Sequence, residues 1–222
     1  MKYREYEKAF SAARLNKYLH ACAGNTIEAL TLYRYNVKLC QKFYGMLNIF
    51  EIVLRNAIDA HYRSYFSDAD WIRHQLAPGG MLEFHPQKPV VLQAINDLDR
   101  RGRYSSDRVA SSVTFGFWTY LFTKVPFRRG GQSLLKIFPN KTTGVGQRTI
   151  YNELLSIKDF RNKIAHHEAI CFDSSGAKDS SMAKQQYASI LKHVNFLGYT
   201  ENHLYFGLDV LPNSILESID KL

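Results

Sequence analysis

The sequence predicts an all-α fold, and three observations carry that prediction. Between Asn25 and about Phe66 no proline or cluster of turn residues interrupts the chain, apart from Gly45. Over the same stretch apolar residues recur at helical spacing: Phe43, Leu47, Phe50, Leu54, Ile58, Tyr62 and Tyr65. A second well-patterned segment runs from about residue 146 to 166. Strand signals, meaning short alternating or β-branched runs bounded by turn residues, are weak throughout.

Taken in order, Asn25-Thr26-Ile27-Glu28 has the form of a capping box, a side-chain acceptor followed three residues later by a carboxylate. It opens one long helix over about 26–66, or two nearly continuous ones. Asp68, Asp70, Pro78-Gly79-Gly80 and Pro86 mark residues 67–88 as a connecting loop with a short turn at 71–76. Pro89, well placed in a first helical turn, starts a helix to about 101. Ser105-Ser106-Asp107 offers caps for a segment reaching about 123; its F-G-F-W-T-Y-L-F run reads as core, with Gly116 permitting close helix approach. Pro126, Gly130-Gly131, Pro139 and Gly144-Val145-Gly146 punctuate a basic connector holding a short helix near 132–138. After the 146–166 helix come a polar loop at 169–180 and a helix at about 182–197. A chain of 222 residues, 45% of them hydrophobic, can bury one substantial core, so residues 1–222 are expected to form a single domain.

The net charge of +9 is regional. Residues 100–148 hold ten basic side chains against one acid, Asp107, which leaves the remainder neutral with 19 of each sign. Two readings stay open: a solvated basic face, or a nucleic-acid surface carried by Arg100, Arg101, Arg103, Arg128 and Arg129, since Lys and Arg contacts to phosphate supply most non-specific nucleic-acid affinity. Tyr104 and Phe127 lie among these cations at positions from which they could stack on bases.

Three widely spaced cysteines, Cys22, Cys40 and Cys171, show no metal-ligand spacing and read as reduced, buried thiols. The charged N-terminal run M-K-Y-R-E-Y-E-K predicts no signal peptide, and no apolar run approaches a membrane span, so a cytoplasmic protein without a membrane partner is expected. The chain has no G-x-x-x-x-G-K-[ST], no dinucleotide fingerprint and no G-x-S-x-G.

Chemistry concentrates in F-R-N-K-I-A-H-H-E, residues 160–168. On a helix advancing about 100° per residue, Leu154, Ile157 and Ile164 fall within roughly 40° of Ile150, and Arg161 at about 20°, inside that apolar stripe. A guanidinium there needs an ion-pair partner or a wet cleft. Asn162 and His166, four apart, share the adjoining face. Arg161, Asn162 and His166 can therefore converge on one small anion; the competing reading is a structural ion pair for Arg161, with histidines that favour the negative end of a helix. An echo, L-R-N-A-I-D-A-H, places Arg55, Asn56 and His61 in the earlier long helix. Glu51 lies on its apolar stripe as a partner for Arg161, and Asp59 is the i+4 neighbour of Arg55.

The run R-N-K-I-A-H-H-E, after L-L-S-I-K-D-F, resembles the C-terminal signature of the Abi-like (abortive-infection) family within the HEPN superfamily, an Arg, a polar residue, three further positions and His. A-R-L-N-K-Y-L, L-Y-R-Y-N, F-E-I-V-L-R-N-A-I and V-T-F-G-F-W agree in kind and order, so the likeness covers most of residues 10–170. Where several relatives carry Pro soon after H-H-E, this chain has Ala169-Ile170. The resemblance implies a HEPN-like helical bundle with additional helices and a basic connector, paired as a homodimer around motif-bearing helices at about 26–66 and 146–168. It implies a metal-independent endoribonuclease of phage defence or a toxin, with Arg161, Asn162 and His166 catalytic. Glu51, Arg55, Asn56, His167 and Glu168 support them. No cofactor is expected. RNA is the expected partner, with an antitoxin or guide-RNA effector as a further one. The alternative is a non-catalytic RNA- or protein-binding helical module.

Overall fold

The computed structural model describes residues 3–222, whose regular elements are all helices; among them the one β pairing is an isolated bridge between Phe172 and Lys178. The elements are α1 (Tyr3–Phe10), α2 (Ala12–Ala21), α3 (Thr26–Phe66), α4 (Trp71–Gln75), α5 (Lys88–Arg100), α6 (Ser106–Ser112), α7 (Phe115–Tyr120) and α8 (Lys124–Arg129). A 3-10 turn (Leu134–Ile137) follows, then α9 (Gln147–Ala165), α10 (Ser181–Phe196), α11 (Glu201–Leu204) and α12 (Asn213–Asp220). No described helix is long and apolar enough to cross a membrane.

Local chemistry explains where the helices begin and end. Asn25 Oδ1 accepts from the backbone N–H groups of Ile27 at 3.1 Å and Glu28 at 3.3 Å, while its Nδ2 donates to the Glu28 carboxylate at 2.8 Å. Orphan donors at the start of a 41-residue helix are thereby satisfied. Ser105 caps α6 in the same way, accepting from Arg108 N–H at 3.3 Å.

The segment expected as one helix to about 123 is instead two. Val113 and Thr114 are extended, and the hydroxyls of Ser111 and Ser112 donate to carbonyls three residues back. Serine and threonine that bond their own backbone compete with the helix, and here they end it. F-G-F-W-T-Y-L-F is core, as its composition suggests: Phe115, Phe117, Trp118, Leu121 and Phe122 are buried. The basic connector is more helical than expected, with α8 inside it.

The described chain divides into two compact units, each discontinuous in sequence. Unit 1 comprises residues 1–48, 159–191 and 202–222; unit 2 comprises 49–158 and 192–201. Both draw on α3 and α9. Unit 1 is organised on Leu32, Leu39, Phe43 and Met46 from α3 against Phe160 and Ile164 from α9, all buried. The Phe43 and Phe160 rings meet edge to face at 4.8 Å. Gly45 admits the C-terminal segment: a Cβ there would lie 2.7 Å from Val210 Cγ1, and beside it Tyr205 Oη donates to the Met46 carbonyl at 3.3 Å.

Unit 2 packs Phe50, Leu54, Ile58 and Tyr62 of α3 with Trp71, Trp118, Leu134, Ile150, Leu154 and Ile157. Its polar links are specific. Trp71 Nε1 donates to Asp59 at 2.8 Å, and Asp59 pairs with Arg63 at 2.7 Å. Gly130 lies against Tyr62, whose Oη would be 2.6 Å from any Cβ there, so the turn after α8 tolerates no side chain.

Candidate functional site

An open cleft of about 710 Å³ lies within unit 1. One face of α3 supplies Tyr33, Asn36, Val37, Cys40, Gln41 and Tyr44, spaced at the three- and four-residue steps that align side chains on a helix. Arg161, Ile164 and Ala165 come from the last turns of α9, His167 from just beyond it, and Arg14 from α2.

Two contacts set the register of this pairing. Phe43 meets Phe160 at one end, and at the other Asn36 Oδ1 accepts from Ile170 N–H at 2.9 Å. The α9 strand of the cleft therefore runs antiparallel to α3, which sets Arg161 beside the Tyr44 end and His167 beside the Asn36 end. Arg161 lies in the last turns of α9, and His167 stands two residues beyond the last helical residue, Ala165.

The helix end that presents the histidines is a complete Schellman turn. Glu168 N–H bonds to Lys163 O at 2.9 Å and His167 N–H to Ile164 O at 3.0 Å, with His167 at φ 58°. Glycine is the usual occupant of that left-handed position, and a side chain there costs on the order of 1 kcal/mol. The ends of α2 and α3 use the same turn with Ala23 and Ser67, so the motif itself is not peculiar to this site. What sets His167 apart is that its carbonyl accepts from Arg14 Nη2 at 3.1 Å, which ties α2 to the mouth of the cleft.

Arg161 is half-buried, and it lines the cleft together with His167. His166, one residue earlier, is exposed on the flank of the helix end and is not among the lining residues; Asn162 shares that flank, half-buried. Glu168 is exposed and pairs with Lys163 at 3.6 Å. Cys40 and Cys171 are free thiols, pushed up by burial to about 11 and about 12, so both stay protonated at neutral pH.

The echo residues belong to unit 2, where Glu51 is half-buried on α3. Arg55 Nε donates to Asn56 Oδ1 at 3.3 Å, and the expected pairing of Arg55 with Asp59 does not form, because Arg63 takes that carboxylate from the other side. His61 Nε2 lies 2.9 Å from Ser133 Oγ, whose own proton goes to Gly130 O at 3.0 Å; the ring nitrogen must therefore donate. Burial, reinforced by Lys136, lowers the imidazole from its ordinary value and keeps it neutral.

In the basic region, Arg100 pairs with Asp97, and Arg129 with Glu83 at 3.1 Å while its guanidinium lies over Phe84. Arg101, Arg103 and Arg128 are exposed, with no side-chain partner among the described residues. Tyr104 is not free to stack on a base: its hydroxyl donates to Asp70 and Arg73 covers its ring at 4.6 Å. Among the described residues no group of three or more His, Cys, Asp and Glu is placed to hold a metal ion.

Sequence reasoning missed Arg14, Tyr33, Gln41 and Tyr44 as cleft residues. For the three tyrosine and glutamine positions the signal was present as a face of mixed character on α3, one step round from the core stripe of Leu32, Leu39, Phe43 and Met46; Arg14, on α2, gave none. No family model, curated protein or solved structure matches this chain.

Proposed function

We propose that the chain is a metal-independent endoribonuclease of HEPN type that works as a homodimer in phage defence or as a toxin. The observation that supports the reading is the company kept in one open cleft: Arg161 and Arg14 line it together with His167. RNA carries its own nucleophile, so the protein need only move protons and stabilise charge. The 2′-oxygen forms a bond to phosphorus as its proton passes to an imidazole. The bond to the 5′-oxygen breaks as that oxygen takes up a proton, leaving a 2′,3′-cyclic phosphate and a 5′-hydroxyl.

Arg161 grips the non-bridging oxygens in a planar fork and stabilises the phosphorane, with Arg14 as a second cation at the His167 end. Histidine exchanges protons near neutral pH without a metal. His167 faces the cleft and handles one transfer. His166 and Asn162, on the adjoining flank, serve the other where a second copy of the chain lays the same helix end against the phosphate. Defence or toxin use rests on the resemblance of R-N-K-I-A-H-H-E and its companion segments alone.

Mixed RNA incubated with the protein in EDTA should be cut to fragments ending in cyclic phosphate. Arg161→Ala should sharply slow cleavage, and His166→Ala and His167→Ala, made separately, assign the two imidazoles. A second reading draws support from the unpaired, exposed Arg101, Arg103 and Arg128: a non-catalytic RNA-binding module, or one component of an assembly with an antitoxin or guide-RNA effector. Salt-sensitive RNA binding without any cleavage selects it.

A further inference from the structure

Two side chains in the cleft have no task in the chemistry above. Tyr44 is a large aromatic residue left 61% exposed, in a chain whose other tyrosines mostly pack or bond. Among the described residues its ring touches no other ring and its hydroxyl makes no hydrogen bond; the amide of Gln41 likewise makes none. They stand three residues apart on the cleft face of α3, one turn of helix, with Val37 and Cys40 beside them as an apolar wall. The Phe43–Phe160 contact brings Tyr44 level with Arg161, because each is the chain neighbour of one of those two rings.

We propose that Tyr44 and Gln41 form a base-recognition subsite for single-stranded RNA, in which Tyr44 stacks on the base of the nucleotide whose phosphate Arg161 holds and Gln41 pairs with that base's edge. The subsite rests on the ribonuclease reading for its phosphate but not for its own chemistry. Every base has a face that stacks on an aromatic ring, so Tyr44 supplies affinity with little preference. A glutamine amide offers a donor and an acceptor side by side, the pattern that pairs with adenine across its exocyclic amine and ring nitrogen. The protonated Cys40 thiol keeps the wall beside the base uncharged. RNA in a duplex presents no open base face, and its deep, narrow major groove keeps side chains from the adenine edge, which restricts the ligand to unpaired segments.

The test separates binding from cutting. A labelled tetranucleotide of adenosines with 2′-O-methyl riboses lacks the nucleophile, so its fluorescence anisotropy reads binding alone; a uridine tetranucleotide is the comparison. Tyr44→Ala should weaken binding of both by about tenfold, and Tyr44→Phe should restore binding to within about twofold. Gln41→Ala should remove the preference for adenosine while retaining stacking. Circular dichroism melts confirm that each variant is folded. If Tyr44→Ala binds as tightly as the parent while Arg161→Ala does not, the subsite is wrong even where unmodified RNA is cut. If binding depends on Tyr44 but unmodified RNA survives intact in EDTA, the subsite stands and the ribonuclease reading falls. Failure of the parent protein to bind either tetranucleotide overturns the subsite outright.

Discussion

Two segments of this chain carry the same few residue types. Arg55 and Asn56 followed by His61 lie in the interior of α3, and Arg161 and Asn162 followed by His166 and His167 lie at the end of α9. The first set bonds within the fold: Arg55 bonds to its neighbour Asn56, and His61 donates to a serine that is itself engaged. In the second set Arg161 and His167 line a cleft, while Asn162 and His166 lie on the adjoining flank. Position along the helix makes the difference. A residue in mid-helix has its backbone saturated and its side chain committed to one face, whereas the last turn leaves carbonyls unpaired and turns the chain out into solvent.

The largest effects should come from breaking this contrast directly. Removing the guanidinium or imidazole proposed to act on RNA, by Arg161→Ala or His167→Ala, should lower the cleavage rate by about 10²- to 10⁴-fold, the range for loss of an electrostatic or proton-transfer group. Arg55→Ala and His61→Ala should leave the rate per folded molecule unchanged, with His61→Ala lowering stability by about 1–2 kcal/mol for the lost hydrogen bond. Equal rate losses from both segments would show that the mid-helix set is not merely structural.

Acid should expose the same contrast in stability. In unit 2 the imidazole of His85 is buried; its Nδ1 accepts from Gln87 N–H at 3.1 Å and its Nε2 donates to Phe117 O at 3.3 Å. Burial pushes it down to about 4, only partly offset by the bond to Phe117. Because the folded value lies below the ordinary 6.5, the unfolded chain takes up the proton first as the pH falls. Stability is therefore complete above about pH 6.5 and declines between about 6.5 and 4, by on the order of 3 kcal/mol from this group. The lowered His61 contributes with the same sign. Urea denaturation at pH 7.5 and pH 4.5 should show the loss, and His85→Gln should reduce it.

A smaller effect distinguishes the helix end from the helix interior. His167→Gly places the residue that the left-handed turn favours, so it should raise stability by about 1 kcal/mol while removing the cleft imidazole. Thermal melts and cleavage assays should then move in opposite directions. Glycine at His61, inside α3, should lower stability instead.

Much of this was readable from sequence, for physical reasons that differ by element. The all-helical class, the Asn25 cap and the long helix to Phe66 follow from periodicity and capping, which are local. The break at Val113–Thr114 depends on serine hydroxyls choosing carbonyls three residues back, a competition that periodicity does not register. Arg161 announced itself by lying in an apolar stripe. Arg14, which reaches His167 across 153 residues of sequence, did not. Nor could spacing decide between His166 and His167: one residue is about 100° of rotation, but the Schellman turn abandons that rotation just where the two imidazoles diverge.

The smallest expected effect concerns the cations outside the cleft. Within unit 2, Arg100 and Arg129 already have carboxylate partners, whereas Arg101, Arg103 and Arg128 have none among the described residues. If the basic region holds RNA, only the unpartnered set can exchange its counterions for phosphate without first breaking an ion pair. Each of Arg101→Ala, Arg103→Ala and Arg128→Ala should flatten the slope of log K against log salt for a single-stranded RNA by about 0.7, the share of one phosphate contact. Arg100→Ala and Arg129→Ala should change it less, and none of the five should alter where a bound RNA is cut. A slope unchanged in the triple variant would leave the region's charge as a solvated face and place RNA affinity in the cleft cations alone.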